Sequence, residues 1–175
     1  MALIVETGTG SASSDSFVSV VDCDNYHSDL GNAAWTGTQA DKEAALRRAT
    51  AYVSTGFTFT GKRTNGRSQA LAWPRTGVTD REGVEIADDE VPYEVVDATC
   101  EAALFEIATP NGLLPTVVMM DNIKTDKVGD VSTTYQDAPK SADEARPILS
   151  KLETLMADLL ASPNGSGATT FLARA

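Results

Sequence analysis

The one histidine, His27, is where a His-based zinc site, a His–Cys dyad or a Ser-His-Asp triad would have to form, because each needs an imidazole as ligand or base. No local motif supplies its partners, and it reads as a polar residue on an ordinary helix. Asp22-Cys23-Asp24-Asn25-Tyr26 opens like a calcium loop, in which alternate residues present oxygen ligands around a glycine turn and a glutamate closes the site. Tyr26 stands at the fifth position, His27 where the glycine belongs and Ala33 at the twelfth, so the match fails. Gly8-Thr9-Gly10 lacks the later Lys-Ser/Thr or third glycine that would cradle a phosphate, and reads as a flexible terminal turn. Asp88-Asp89-Glu90 resembles a metal site only in composition: adjacent side chains diverge, and acids just before Pro92 suit a helix N-terminus. Cys23 and Cys100 are the only cysteines, too few and too far apart in sequence for a disulfide scaffold or a zinc cage. They read as two reduced thiols, consistent with synthesis in the cytoplasm. Neither catalytic residues, a metal site nor a cofactor is expected.

Charge is more informative. With 14 Lys+Arg against 25 Asp+Glu the chain carries −11, which argues against a free-standing reader of duplex DNA, since such proteins need a basic face to displace counterions. The few cations are clustered, however. Gly61 to Arg75 holds Lys62, Arg63, Arg67 and Arg75 without one acid, interleaved with Trp73 and preceded by Phe57 and Phe59. Asp80 to Glu106 holds Asp88, Asp89, Glu90 and seven further acids against Arg81. Three readings stand: two solvated faces, two blocks that meet across subunits, or a basic, aromatic block that contacts a partner or nucleic acid.

The elements that must position these residues are mostly helices. Ser19 to Leu30 begins on a capping serine and ends at Gly31, with a modest stripe of Val20, Val21, Asp24 and Tyr26. Thr38 with Asp41 reads as an acidic capping box for a helix ending at Gly56, whose stripe is Ala45, Leu46, Ala49, Tyr52 and Val53, with Arg47 and Arg48 facing away. A third helix opens at Pro92 and runs to about Thr109, burying Val95, Val96, Thr99, Cys100, Ala103, Leu104 and Ile107. The glycine- and proline-rich stretch from Phe57 to Val91 is a long loop of the kind that is functional or held by a partner. Asn122 to Val128 and Val131 to Gln136 flank Gly129-Asp130 as a β-hairpin, polar on both sides and needing a neighbour. The last helix spans about Pro147 to Leu160 with a wide apolar stripe of Ile148, Leu149, Leu152, Leu155, Met156, Leu159 and Leu160. From Ser162 the composition is that of a flexible tail ending in Phe171, Leu172 and Arg174, either disordered or ordering on a partner. Residues 1–161 form one domain. No signal peptide and no membrane-spanning run is read, so a soluble chain without membrane contact is expected.

In order along the chain, ALIVETGTGSASSDSFVSV, AALRRATAYV followed by FTFTGKR, ALAWPRTGV, VPYEVVDATCEAALFEI and IKTDKVGDVSTTY resemble the head-tail adaptor proteins of tailed bacteriophages. Many sequences of this type carry the label of DnaT-like single-stranded DNA-binding proteins. The resemblance covers roughly Ala2 to Gln136 and implies a mainly α, ring-forming subunit: a small helical bundle with a β-hairpin and long loops. It implies a non-catalytic virion protein of the neck, assembled in the host cytoplasm as a ring of about twelve copies between the portal and a tail or stopper protein. Genomic DNA would pass through the lumen without sequence-specific binding. On that reading Lys62, Arg63, Arg67, Trp73, Arg75, Asp88, Asp89 and Glu90 face a neighbouring subunit or DNA. Phe171, Leu172 and Arg174 bind the portal, and Lys124, Lys127, Gly129 and Asp130 of the hairpin face the tail. The alternative is a single-stranded DNA-binding protein of phage replication, with Phe57, Phe59 and Trp73 as stacking platforms and Lys62, Arg63, Arg67 and Arg75 on phosphates. The low aromatic content, 6%, offers few platforms, and Trp73 before Pro74 also suits a core plug.

Overall fold

The structure is a computed structural model that describes residues 2–115, 125–128, 131–134, 147 and 149–161, the two central tetrapeptides by their backbone. Helix α1, Val20–Asp29, starts where Ser19 Oγ accepts the Asp22 amide. Helix α2, Gln39–Gly56, starts on the expected reciprocal cap: Thr38 Oγ1 accepts the Asp41 amide at 3.2 Å and Asp41 Oδ2 accepts the Thr38 amide at 3.0 Å. Two short strands follow inside the long loop, β1 (Lys62–Arg63) and β2 (Arg75–Thr76), paired antiparallel with Lys62 opposite Thr76 and Arg63 opposite Arg75. Helix α3, Tyr93–Ala108, is central and packs against α1, α2 and a last helix α4, Ser150–Leu155. Strands β3 (Thr125–Val128) and β4 (Val131–Thr134) form the expected hairpin, with Val128 opposite Val131 across a two-residue connection. The architecture is thus mainly α with a β-hairpin, as expected. Lys124, Gly129, Asp130, Phe171, Leu172, Arg174 and the whole tail lie outside the described residues, and of Lys127 only the backbone is described.

The core is built from small and branched side chains on facing helices. Ala45, Leu46, Ala49 and Val53 of α2 and Val95, Ala98, Ala102 and Ala103 of α3 are all buried, and alanines at such positions let helix backbones approach closely. Two carboxylates of α3 are buried as well, which the apolar stripe did not predict. Glu101 accepts the Tyr26 hydroxyl at 2.9 Å and pairs with Lys151 at 2.5 Å, tying α1 and α4 to α3. Glu106 closes the end of α3 by accepting the amides of Asn111 at 2.6 Å and Leu113 at 3.3 Å, with Arg48 at 3.4 Å.

Three expectations need correction. On α1 the buried face is Val20, Cys23 and His27, while Val21 is 67% exposed. His27 is on a helix, as expected, and is buried there. The Nε2–H tautomer satisfies both its bonds, donating to the Cys100 carbonyl at 3.1 Å while Nδ1 accepts from Asn32 at 3.1 Å. Helix α4 stops at Leu155 because the next residues pair elsewhere: the Thr60 amide donates to the Leu159 carbonyl at 2.9 Å and the Ala161 amide to the Thr58 carbonyl at 2.8 Å. Last, Gly8-Thr9-Gly10 is no loose turn. It wraps the buried Glu6 carboxylate, which accepts the amides of Gly8, Gly10 and Ser11 at 2.9 to 3.0 Å.

Candidate nucleic-acid interface

The basic block is a braced hairpin, and the bracing is what sorts its cations. Between β1 and β2 a single 3₁₀ turn, Gly66–Ser68, carries Arg67. Behind it the buried Gln69 amide donates to the carbonyls of Leu71 and Pro74, each at 3.0 Å, while its oxygen accepts the Asn65 amide at 3.3 Å. Asn65 Nδ2 reaches the Thr9 carbonyl at 2.9 Å, the Ala70 amide donates to Ser11, and Thr64 Oγ1 donates to the Asp88 carbonyl at 2.8 Å. The Glu6 turn, the basic hairpin and the acidic triplet therefore meet inside one chain through hydrogen bonds to backbone carbonyls. Gly8 is required at this junction, since a Cβ on it would lie 1.7 Å from the Asp89 carbonyl oxygen.

Arg75 is consumed by this framework. Its guanidinium donates to the carbonyls of Thr60 at 2.6 Å, Gly61 at 2.9 Å, Ala72 at 3.2 Å and Phe59 at 3.3 Å, and lies over the Phe59 ring. Burial, reinforced by the nearby Arg63 charge, holds it below the usual guanidinium range. It cannot serve a phosphate while those bonds stand. Trp73 is also unavailable: it is fully buried, follows the chain into a cis bond with Pro74, and packs edge-on against the equally buried Phe59 at 5.7 Å. Phe57 is half-buried against Tyr52. Of the three expected stacking platforms, Phe59 and Trp73 are core and Phe57 is half-buried at its edge.

What the hairpin does offer is Lys62, Arg63 and Arg67, all exposed, none forming an ion pair among the described residues. By contrast Arg47, Arg48, Arg81, Lys42 and Lys151 each pair with a carboxylate. Asp88, Asp89 and Glu90 are exposed beside the hairpin and pair with none of its cations. Asn65 and Gln69, which brace the hairpin that carries the three cations, were not singled out from the sequence, and Gly10 was read only as part of a loose turn; the bond from Asn65 to Gly10 joins residues 55 positions apart. The spacing of Glu6 from its two glycines was the available signal. Among the described residues no cluster of His, Cys, Asp and Glu could hold a metal ion, and no helix is long and apolar enough to cross a membrane.

The sequence model of the family described as "Putative DnaT-like ssDNA binding protein" matches residues 1–175. The chain belongs to this family. No curated protein and no solved structure matches it significantly. The match to a DnaT-like family over the full chain favours the single-stranded DNA-binding alternative, gives the head-tail adaptor assignment no support, and contradicts the description of the chain as a virion connector protein. Portal and tail partners, and the roles given to Phe171, Leu172, Arg174 and the 122–136 hairpin on that basis, lose their support.

Proposed function

We propose that this DnaT-like protein binds single-stranded DNA without catalysis, gripping phosphates with Lys62, Arg63 and Arg67. The observation that carries the reading is the state of these three side chains: exposed, unpaired among the described residues, and mounted on a hairpin whose fourth cation is spent on holding its shape. The family description supplies the ligand class. Physics favours a single strand over a duplex here. A duplex carries about one charge per 1.7 Å and would meet the surrounding −11 chain as a stiff rod, whereas a flexible strand of lower charge density can follow a small patch. With Phe59 and Trp73 buried, contact is to the sugar–phosphate chain rather than to bases stacked on those rings.

Titration of a fluorescent oligothymidylate at low salt tests this. Wild type should saturate, and R63E/R67E should bind at least tenfold more weakly with an unchanged melting temperature. No saturable binding by wild type overturns the proposal.

A further inference from the structure

Among the described residues the apolar stripe of α3 is not covered to its end. Leu104 and Phe105 are only half-buried and Ala108 is exposed, and with Leu149 and Leu152 at the start of α4 they line a groove of about 390 Å³. Its floor is core, since Leu152 is fully buried. Its two charged members are spent on each other: Lys151 pairs with Glu101, which also accepts the Tyr26 hydroxyl at 2.9 Å. The groove therefore offers a ligand apolar surface rather than free hydrogen-bonding groups, and gains most from an aromatic or aliphatic side chain laid into it.

We infer that this groove is the docking site of Phe171 and Leu172 of the same chain. Three observations single out this occupant. The first is composition: between Ala161 and Phe171 the chain reads SPNGSGATT, a tether without one large apolar side chain, and Phe171-Leu172 is the only bulky apolar pair from Ser162 to Ala175. The second is reach. Ala161 is fixed by the bond from its amide to the Thr58 carbonyl. The path from Leu152 through the end of α4 to Ala161 spans at most about 26 Å, whereas the chain from Ala161 to Phe171 extends to about 33 Å, so the tether reaches the groove wherever the intervening turns lead. The third is charge: Arg174 is the one charged side chain from Ser162 to Ala175, and this segment meets the carboxylates of Glu94, Asp97 and Glu101 on α3 without repulsion. A tether this short holds its end at an effective concentration near the millimolar range, enough for a two-residue contact that would not retain a free peptide. Docking there fastens α4, only six residues long, to α3.

The full chain with the photo-cross-linking residue p-benzoylphenylalanine in place of Phe171, irradiated at low micromolar concentration, gives the answer by mass. The expected product keeps the mass of one chain, and trypsin releases peptide 152–174 joined to 82–124 or to 141–151, attached at Leu104, Phe105, Ala108 or Leu149. A second measurement needs no bulky probe: Phe171→Ala should shift the methyl resonances of Leu104 and Leu149, which lose the field of the aromatic ring, and leave those of Leu46 in the α2 core where they are. A cross-linked product with the mass of two chains would give the groove to a second copy. Attachment outside the groove, or Leu104 and Leu149 methyls unmoved by Phe171→Ala, would give it to another segment or to a separate partner. Each of these results overturns the inference.

Discussion

Asn65 donates from Nδ2 to the Gly10 carbonyl at 3.1 Å, joining residues 55 positions apart and fastening the basic hairpin to the turn that encloses Glu6. Gly10 has φ +63°, and a Cβ there would lie 2.5 Å from that same Nδ2. Gly10→Ala therefore combines a left-handed backbone with a contact that displaces Asn65. It should cost about 2 kcal/mol in urea unfolding and weaken DNA binding although no charge is changed. Unaltered stability and affinity would show that the hairpin stands without this brace.

Arg75 separates charge from framework. Arg75→Lys keeps the positive charge but cannot reproduce a planar fork aimed at four carbonyls, so stability should fall by about 2 kcal/mol. Under conditions where the variant is folded, the salt dependence of DNA binding should match wild type. A shallower salt dependence in the folded variant would place Arg75 on a phosphate.

Because Phe59 and Trp73 are core, bases contribute little through them. An abasic oligonucleotide of the same length should bind within about twofold of oligothymidylate, whereas loss of even one base-stacking contact would cost about 1–3 kcal/mol, fivefold or more. A strong preference for the base-bearing strand in fluorescence competition would locate a stacking residue elsewhere in the chain.

Asp97 gives a pH-dependent prediction. Partial burial, then the charges of Glu94 and Glu101 on the adjoining turns of α3, raise its carboxyl above the ordinary 3.8. A raised folded-state value means that the ionised form is tolerated less well in the fold than in the unfolded chain. Asp97 therefore destabilises above pH 3.8, increasingly until its folded value is passed, and is neutral below it. Asp97→Asn should stabilise at pH 7 by about 0.3 kcal/mol, the size of a like-charge repulsion on a helix, and the gain should vanish toward pH 3. Thermal melts of both proteins across that range check the sign.

The helices were legible where their signals are local. Thr38 and Asp41 cap α2 as read, because a capping box needs only residues three apart. The β-hairpin was equally visible, its two-residue connection setting the register of Val128 on Val131. What escaped depends on distant partners. Helix α4 ends early because Leu159 and Ala161 pair with Thr60 and Thr58, contacts that an apolar stripe cannot announce. In the candidate interface the block of cations was visible, but Arg75 and Arg67 look alike in sequence. Only the carbonyls of Phe59, Thr60, Gly61 and Ala72 turn the first inward and leave the second free. His27 and Cys23 were hidden likewise, since a short stripe of Val20, Cys23 and His27 becomes a core face only once Cys100 lies opposite.

The grip of Lys62, Arg63 and Arg67 on phosphate is read most directly from the salt dependence of oligothymidylate binding. For three phosphates on a single strand, log affinity against log salt should have a slope of about −2, and K62Q/R63Q/R67Q should flatten it toward zero while the fold and its melting temperature are kept. A triple variant that binds with the affinity and slope of wild type would contradict the assignment of this hairpin as the DNA-binding surface.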